Sequence, residues 1–139
     1  REQKPLYPFG YGLSYTRFAY SGLRVEVAAG EPVRVFATVQ NIGGRAGDEI
    51  VQAYIHLEDA EVPVPMRTLA AFRRVSLKPG ERREVELKLL PFALYEYEED
   101  GVRHTHSGQV RLWVGGRQPD ERSRELTGTE VLETLFTLE

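Results

Sequence analysis

Acidic side chains gather at three places in the chain: Glu58, Asp59 and Glu61; Glu96, Glu98, Glu99 and Asp100; Asp120 and Glu121. Two carboxylates can do acid–base chemistry when their surroundings push their proton affinities apart. All of these acids fall in stretches that read as loops or turns crowded with other charges, where carboxylates mainly solubilise. The serines Ser14, Ser21, Ser76, Ser107 and Ser123 carry no G-x-S-x-G elbow, so no nucleophilic triad is assigned. There is no cysteine, which excludes disulfides, a thiolate nucleophile and Cys-based metal sites. His104 and His106, two residues apart on a strand, would share a face, so both rings could approach one ion. A third ligand is not evident, although His56 is available. The competing reading is an exposed strand beside a hairpin turn. No catalytic residue, metal or cofactor is therefore assigned. Trp113 is different: Val110, Leu112 and Val114 form the apolar face of their strand, so Trp113 points the other way. A Trp there could stack on a sugar ring, dock against another domain, or be partly covered by a neighbouring loop.

The elements that would carry these residues alternate with period two and are punctuated by Gly and Pro. Strands are expected over 18–27, 32–40, 49–57, 69–77, 82–90, 102–107, 109–114 and 131–138. In the second, Val33, Val35, Ala37 and Val39 share a face; in the third, Val51, Ala53, Ile55 and Leu57 do, with Ile50 and Tyr54 opposite. In the fifth, Val85, Leu87 and Leu89 point inward. Turns are expected at Asn41-Ile42-Gly43-Gly44, with Gly available for positive φ, at Lys78-Pro79-Gly80-Glu81 and at Glu99-Asp100-Gly101. Residues 59–66 read as a loop, and 91–97 as a stretch that could hold a short helical turn. Short strands, frequent turns and no long amphipathic helix favour an all-β sandwich of about seven to eight antiparallel strands.

At 139 residues the chain is one domain, large enough to bury a core without covalent staples. A formal net charge of −3 argues against nucleic acid as a partner. No apolar run approaches the roughly 18 residues of a membrane-spanning helix. The first residue is Arg1 and no signal-peptide core follows, so the sequence is expected to be part of a longer protein. Its compartment stays open.

Residues 1–17 stand apart from 18–139. Pro5-Leu6-Tyr7-Pro8-Phe9-Gly10-Tyr11-Gly12-Leu13-Ser14-Tyr15 holds four aromatics, two prolines and two glycines, a mixture that no regular element accommodates. Continued to Thr16-Arg17-Phe18, this arm resembles the segment that leads into the C-terminal fibronectin type III-like domain of family 3 glycoside hydrolases, of β-glucosidase and β-xylosidase type. Val39-Gln40-Asn41-Ile42-Gly43, Ala46-Gly47-Asp48-Glu49-Ile50-Val51-Gln52-Ala53-Tyr54, Arg67 to Phe72, Val75 to Glu81, and Gly108 to Gly116 resemble its strands and hairpins. The likeness runs from Pro5 to about Gly116. It departs at Ala70-Ala71-Phe72, where the family places Gly before the aromatic, and it fades beyond Gly116.

The resemblance implies a fibronectin type III or immunoglobulin-like form of the β-sandwich, and a role without chemistry. Family 3 enzymes are retaining glycosidases whose nucleophile is an Asp in a separate barrel domain, and such a barrel alone takes roughly 250 residues. Retaining hydrolysis also needs two carboxylates about 5 Å apart across a sugar pocket. The implied function is an accessory domain that packs on and stabilises the catalytic domains of the same polypeptide. The alternative is a carbohydrate-binding module that holds an oligosaccharide or polysaccharide near the active site, with Trp113 as its contact. The packing residues would be Tyr7, Phe9, Gly10, Tyr11, Gly12, Leu13 and Tyr15, because aromatics contribute large buried area at low entropic cost. In an isolated chain the same arm could drive self-association.

Overall fold

The structure, a computed structural model, describes residues 16–116 and 131–139. Nine strands are described: β1 (Phe18–Glu26), β2 (Arg34–Asn41), β3 (Gly47–Leu57), β4 (Thr68–Leu77), β5 (Arg82–Lys88), β6 (Tyr95–Tyr97), β7 (Arg103–Thr105), β8 (Gly108–Gly115) and β9 (Leu132–Leu138). Eight match the expected runs. The ninth, β6, lies where only a helical turn was anticipated: that turn is a 3-10 helix confined to Pro91–Leu94, with a strand following at once. All described pairings are antiparallel. One sheet has the order β1-β2-β5, a second β4-β3-β8-β9, and β6-β7 form a separate hairpin.

Alternation dictates the core. Val35, Ala37 and Val39 of β2 and Val85 and Leu87 of β5 meet Val51, Ala53 and Ile55 of β3 and Val110, Leu112 and Val114 of β8. Burying each Val, Leu or Ile among them contributes about 1.5–3 kcal/mol before entropy is counted. A bulge in β4 opposite Ala53 and Tyr54 turns both Ala70 and Ala71 inward. It also sends Leu69 and Phe72 to the outer face, where they pair with Tyr54 and Gln52. Ala70 occupies a fully buried slot.

Strands β4 and β5 are edge strands of different sheets and lie side by side. Arginines close their free carbonyls: Arg73 Nη1 donates to Glu86 O (3.2 Å), and Arg83 Nη2 to Ser76 O (3.3 Å). Such cover blunts an edge that would otherwise recruit further strands.

The turns follow their chemistry with one exception. Gly80 takes φ 79° after Pro79, and Gly101 takes φ 89°. Gly43 and Gly44, expected to supply positive φ, do not. Gly43 is required for close approach instead. A Cβ there would collide with Thr16 Oγ1 and lie 3.0 Å from Arg17 N.

Asn41 anchors this corner. Its Oδ1 accepts from Thr16 Oγ1 (2.7 Å) and Gly43 N (2.9 Å); its Nδ2 donates to Arg45 O (2.7 Å) and Leu77 O (3.0 Å). The amide is wholly buried and fully satisfied.

Candidate functional site

The arm residues Tyr7, Phe9, Gly10, Tyr11, Gly12, Leu13 and Tyr15 lie outside the described residues, as do Ser14, Asp120, Glu121 and Ser123. The other chemistry-bearing candidates fall at two places.

The first is the β6-β7 hairpin. Glu96, read from the sequence as an exposed loop acid, is 3% exposed, and His106, read as belonging to an exposed strand, is 1% exposed. The reason is local. β7 ends at Thr105, so His106 leaves the strand and is drawn inward as its backbone N–H donates to Leu94 O (2.8 Å). Tyr95 and Tyr97 alternate outward around Glu96.

His106 Nε2 lies 3.0 Å from Gln109 O and its Nδ1 2.5 Å from Glu96 Oε2. A carbonyl only accepts, so Nε2 carries a proton. The other contact then holds one further proton between a carboxylate and an imidazole. Glu96 Oε1 accepts from Glu61 N (3.1 Å) and faces His104 Nε2 at 3.5 Å. Desolvation is the largest single influence on Glu96 and pushes its pKa up. The hydrogen bonds from His106 and Glu61 and the nearby imidazoles outweigh it, leaving the carboxyl below its ordinary value.

His104 and His106 therefore converge on a carboxylate rather than on an ion. Both nitrogens of His106 are engaged, and His56 is turned away, with Nδ1 donating to Pro65 O at 3.0 Å. Among the described residues no group of three His, Asp or Glu side chains is placed to hold a metal.

Glu96 and His56 hold the 59–66 loop from both ends. That loop and the hairpin enclose an apolar cleft of about 220 Å³, with Pro63 and Pro65 on one wall, Phe92, Tyr95 and Tyr97 on the other, and Ile55 beneath. Among the described residues its lining carries no charged side chain, which suits it to an apolar group.

The second place is the outer face of the four-stranded sheet. Trp113 points outward there, as the alternation of β8 requires, and is half-buried. It stands opposite Tyr54 on β3 and Glu133 on β9, with the Arg67 guanidinium 5.6 Å from its ring centre. Tyr54 Oη donates to Gln52 Oε1 (2.9 Å), and Gln52 Nε2 to Gly116 O (3.1 Å). Burial pushes the Tyr54 hydroxyl above its ordinary pKa. Arg111 crosses the sheet between Glu133 and Glu58, which together raise its pKa further.

Among the remaining acids, Asp59, Glu61, Glu98, Glu99 and Asp100 are exposed and Glu58 is half-buried against Arg111. The sequence reading named Glu96 and His106 but missed their burial and mutual hydrogen bond, and it did not foresee the Arg67 guanidinium over Trp113. Only the last left a trace in the sequence: an arginine at the start of the strand that pairs with β3.

Residues 49–118 match the family model of the fibronectin type III-like domain. The beta-glucosidase of Rhizobium radiobacter is 37% identical over 88% of this chain and 15% of its own length. The beta-xylosidase of Formosa agariphila is 41% identical over 82% of the chain and 16% of its own length. The solved structure of beta-glucosidase 3B from Thermotoga neapolitana, in complex with alpha-D-glucose, superposes with a TM-score of 0.75 at 34% identity, over 96% of this chain and 17% of that one. The chain thus spans about a sixth of the length of the curated relatives it matches, which carry the region inside larger polypeptides. Together with the two-sheet topology, these matches bear out the resemblance read from the sequence: the chain belongs to the fibronectin type III-like domain family, in the form found in family 3 glycoside hydrolases.

Proposed function

We propose that this chain is the non-catalytic accessory domain of a family 3 glycoside hydrolase that cleaves O-glycosyl bonds of β-glucosides or β-xylosides. The observation that carries the proposal is the match of nearly the whole chain to one sixth of such enzymes. The side chains support it. The most buried carboxylate among the former candidates, Glu96, is occupied by His106 and a backbone N–H. The domain's work is then mechanical: it packs on the catalytic domains and raises their stability. The arm residues Tyr7, Phe9, Tyr11, Leu13 and Tyr15, with Gly10 and Gly12 allowing close approach, are proposed to lie in that joint.

The test is kinetic. The purified 139-residue chain should show no turnover of nitrophenyl β-glucoside or β-xyloside, while the polypeptide that contains it should hydrolyse one of them. Turnover by the 139-residue chain would sink the proposal. A sugar-binding role through Trp113 is the weaker reading, because Arg67 already occupies one face of the indole. Calorimetric titration with cello- and xylo-oligosaccharides separates the two, and heat saturating at millimolar sugar would favour the binding module. Self-association through the arm would appear as concentration-dependent mass in sedimentation equilibrium.

A further inference from the structure

The two outer faces of the sandwich differ in kind. On the three-stranded sheet the outward side chains are polar, and the charged ones pair with one another: Arg24 with Glu26 and Glu84, and Arg34 with Glu26 and Glu86. Its aromatic residue, Phe36, lies under the guanidinium groups of Arg24 (3.9 Å from the ring centre) and Arg34 (5.5 Å) and is 8% exposed. That face is complete in water.

The four-stranded sheet carries ion pairs too, Arg74 with Asp48 and Arg111 with Glu58 and Glu133, but an apolar band runs between them. Leu69, Tyr54 and Trp113 form one cross-strand row, with Phe72 and Ile50 beside it. Phe72 is 64% exposed, and Met66, next to Arg67, is 76% exposed. The apolar surface continues over the edge of β4. There Leu90 donates its backbone N–H to Ala70 O (2.9 Å) and stands exposed with Phe92. Single exposed apolar residues are ordinary, whereas contiguous ones mark a contact surface. Aromatics with an arginine among them are the composition of an interface centre.

We propose that this band, from Trp113 through Tyr54, Leu69 and Phe72 to Leu90, is the face that docks against the catalytic part of the polypeptide. The inference rests on the function proposed above, and it names which surface serves it. The matched relatives are about six times longer than this chain, so a large body of protein accompanies the domain. Docking through the charged face would desolvate a network of ion pairs, which is costly. Docking through the band removes apolar surface from water and leaves the flanking ion pairs at the rim. The partner surface is apolar and offers an acceptor to Arg67, which forms no ion pair among the described residues.

Hydroxyl-radical footprinting of the 139-residue chain and of the full-length polypeptide tests this. Met66, Phe72 and Trp113 should be labelled in the 139-residue chain. In the full-length polypeptide their labelling should fall by roughly fivefold, because the centre of an interface excludes water. Val27 and Ile42, exposed elsewhere on the domain, should label equally in both. Phe72→Asp should leave the unfolding midpoint of the 139-residue chain unchanged, yet speed proteolytic release of the domain from the full-length polypeptide by about tenfold, the cost of one good interface residue. Equal labelling of the band in both proteins would overturn the inference. So would protection already present in the 139-residue chain, whether by its own flanking residues or by a second copy. A full-length polypeptide that hydrolyses glycosides with a labelled band would refute the docking face alone; a protected band without hydrolysis would refute the enzymatic reading alone.

Discussion

Replacing His106 by alanine should remove a large share of the domain's stability. His106 is buried and hydrogen-bonded through both ring nitrogens, to Glu96 and to Gln109 O. The bond to the carboxylate is charge-assisted and contributes about 2 kcal/mol, the bond to the carbonyl about 1 kcal/mol. The imidazole also leaves a cavity, for which about 1 kcal/mol is appropriate. A loss near 4 kcal/mol results, within the range measured when one partner of a buried pair is removed. A domain of this size has about 5–15 kcal/mol in total, so the variant should be marginal at 37 °C. Guanidinium unfolding followed by Trp113 fluorescence reads the loss as a shift in midpoint at constant slope. Glu96→Gln is the informative companion. Its amide can donate to Nδ1 while its oxygen still accepts from Glu61 N–H, so it should cost only about 1 kcal/mol. The pair also sets a pH response. The folded pKa of Glu96 is depressed, so its stabilisation is complete above the ordinary glutamate value of 4.5 and is lost as pH falls through the lower folded value. Glu96→Gln should flatten that acid limb. A His106→Ala midpoint unchanged from the parent, or an acid limb identical in Glu96→Gln, would refute the reasoning.

Three further outcomes are expected. Asn41→Asp places an acceptor against the carbonyls of Arg45 and Leu77; it should cost about 3 kcal/mol at neutral pH, easing as acid protonates the new carboxyl, as read by thermal unfolding across pH. Gly43→Ala would push Thr16 and Arg17 away from the turn and should cost about 2 kcal/mol, with partial recovery in a Thr16→Ala background measured by a double-mutant cycle. Phe36→Ala should cost about 3 kcal/mol despite its position on the charged outer face, and calorimetry would show this as a lowered Tm.

What could be read in advance tracks how local each interaction is. Strands β2, β3, β5 and β8 were legible because their inward residues repeat every second position, and the outward aim of Trp113 followed from Val110, Leu112 and Val114. β6 was not legible: three residues between a 3-10 turn and a hairpin give too short a period. Glu96 looked like one turn acid among several, because what buries it is His106, ten residues on and outside any strand. Phe36 broke the outward-polar rule because two arginines from β1 and β2 supply its cover. Gly43 and Gly44 were assigned the right segment for the wrong reason; at Gly43 the need is space beside Thr16, not an unusual φ.

The arginine cover on β4 and β5 carries a consequence for assembly. Arg73 and Arg83 occupy carbonyls that an incoming strand would need, and Leu90 occupies that of Ala70. Backbone pairing between molecules is thereby confined to the opposite flank, where β1 and β9 form the outer strands of their sheets. Filament growth requires two addition points per subunit. With the β4–β5 flank covered, strand addition to the two described sheets is left with β1 and β9, so each sheet can be extended on one side only.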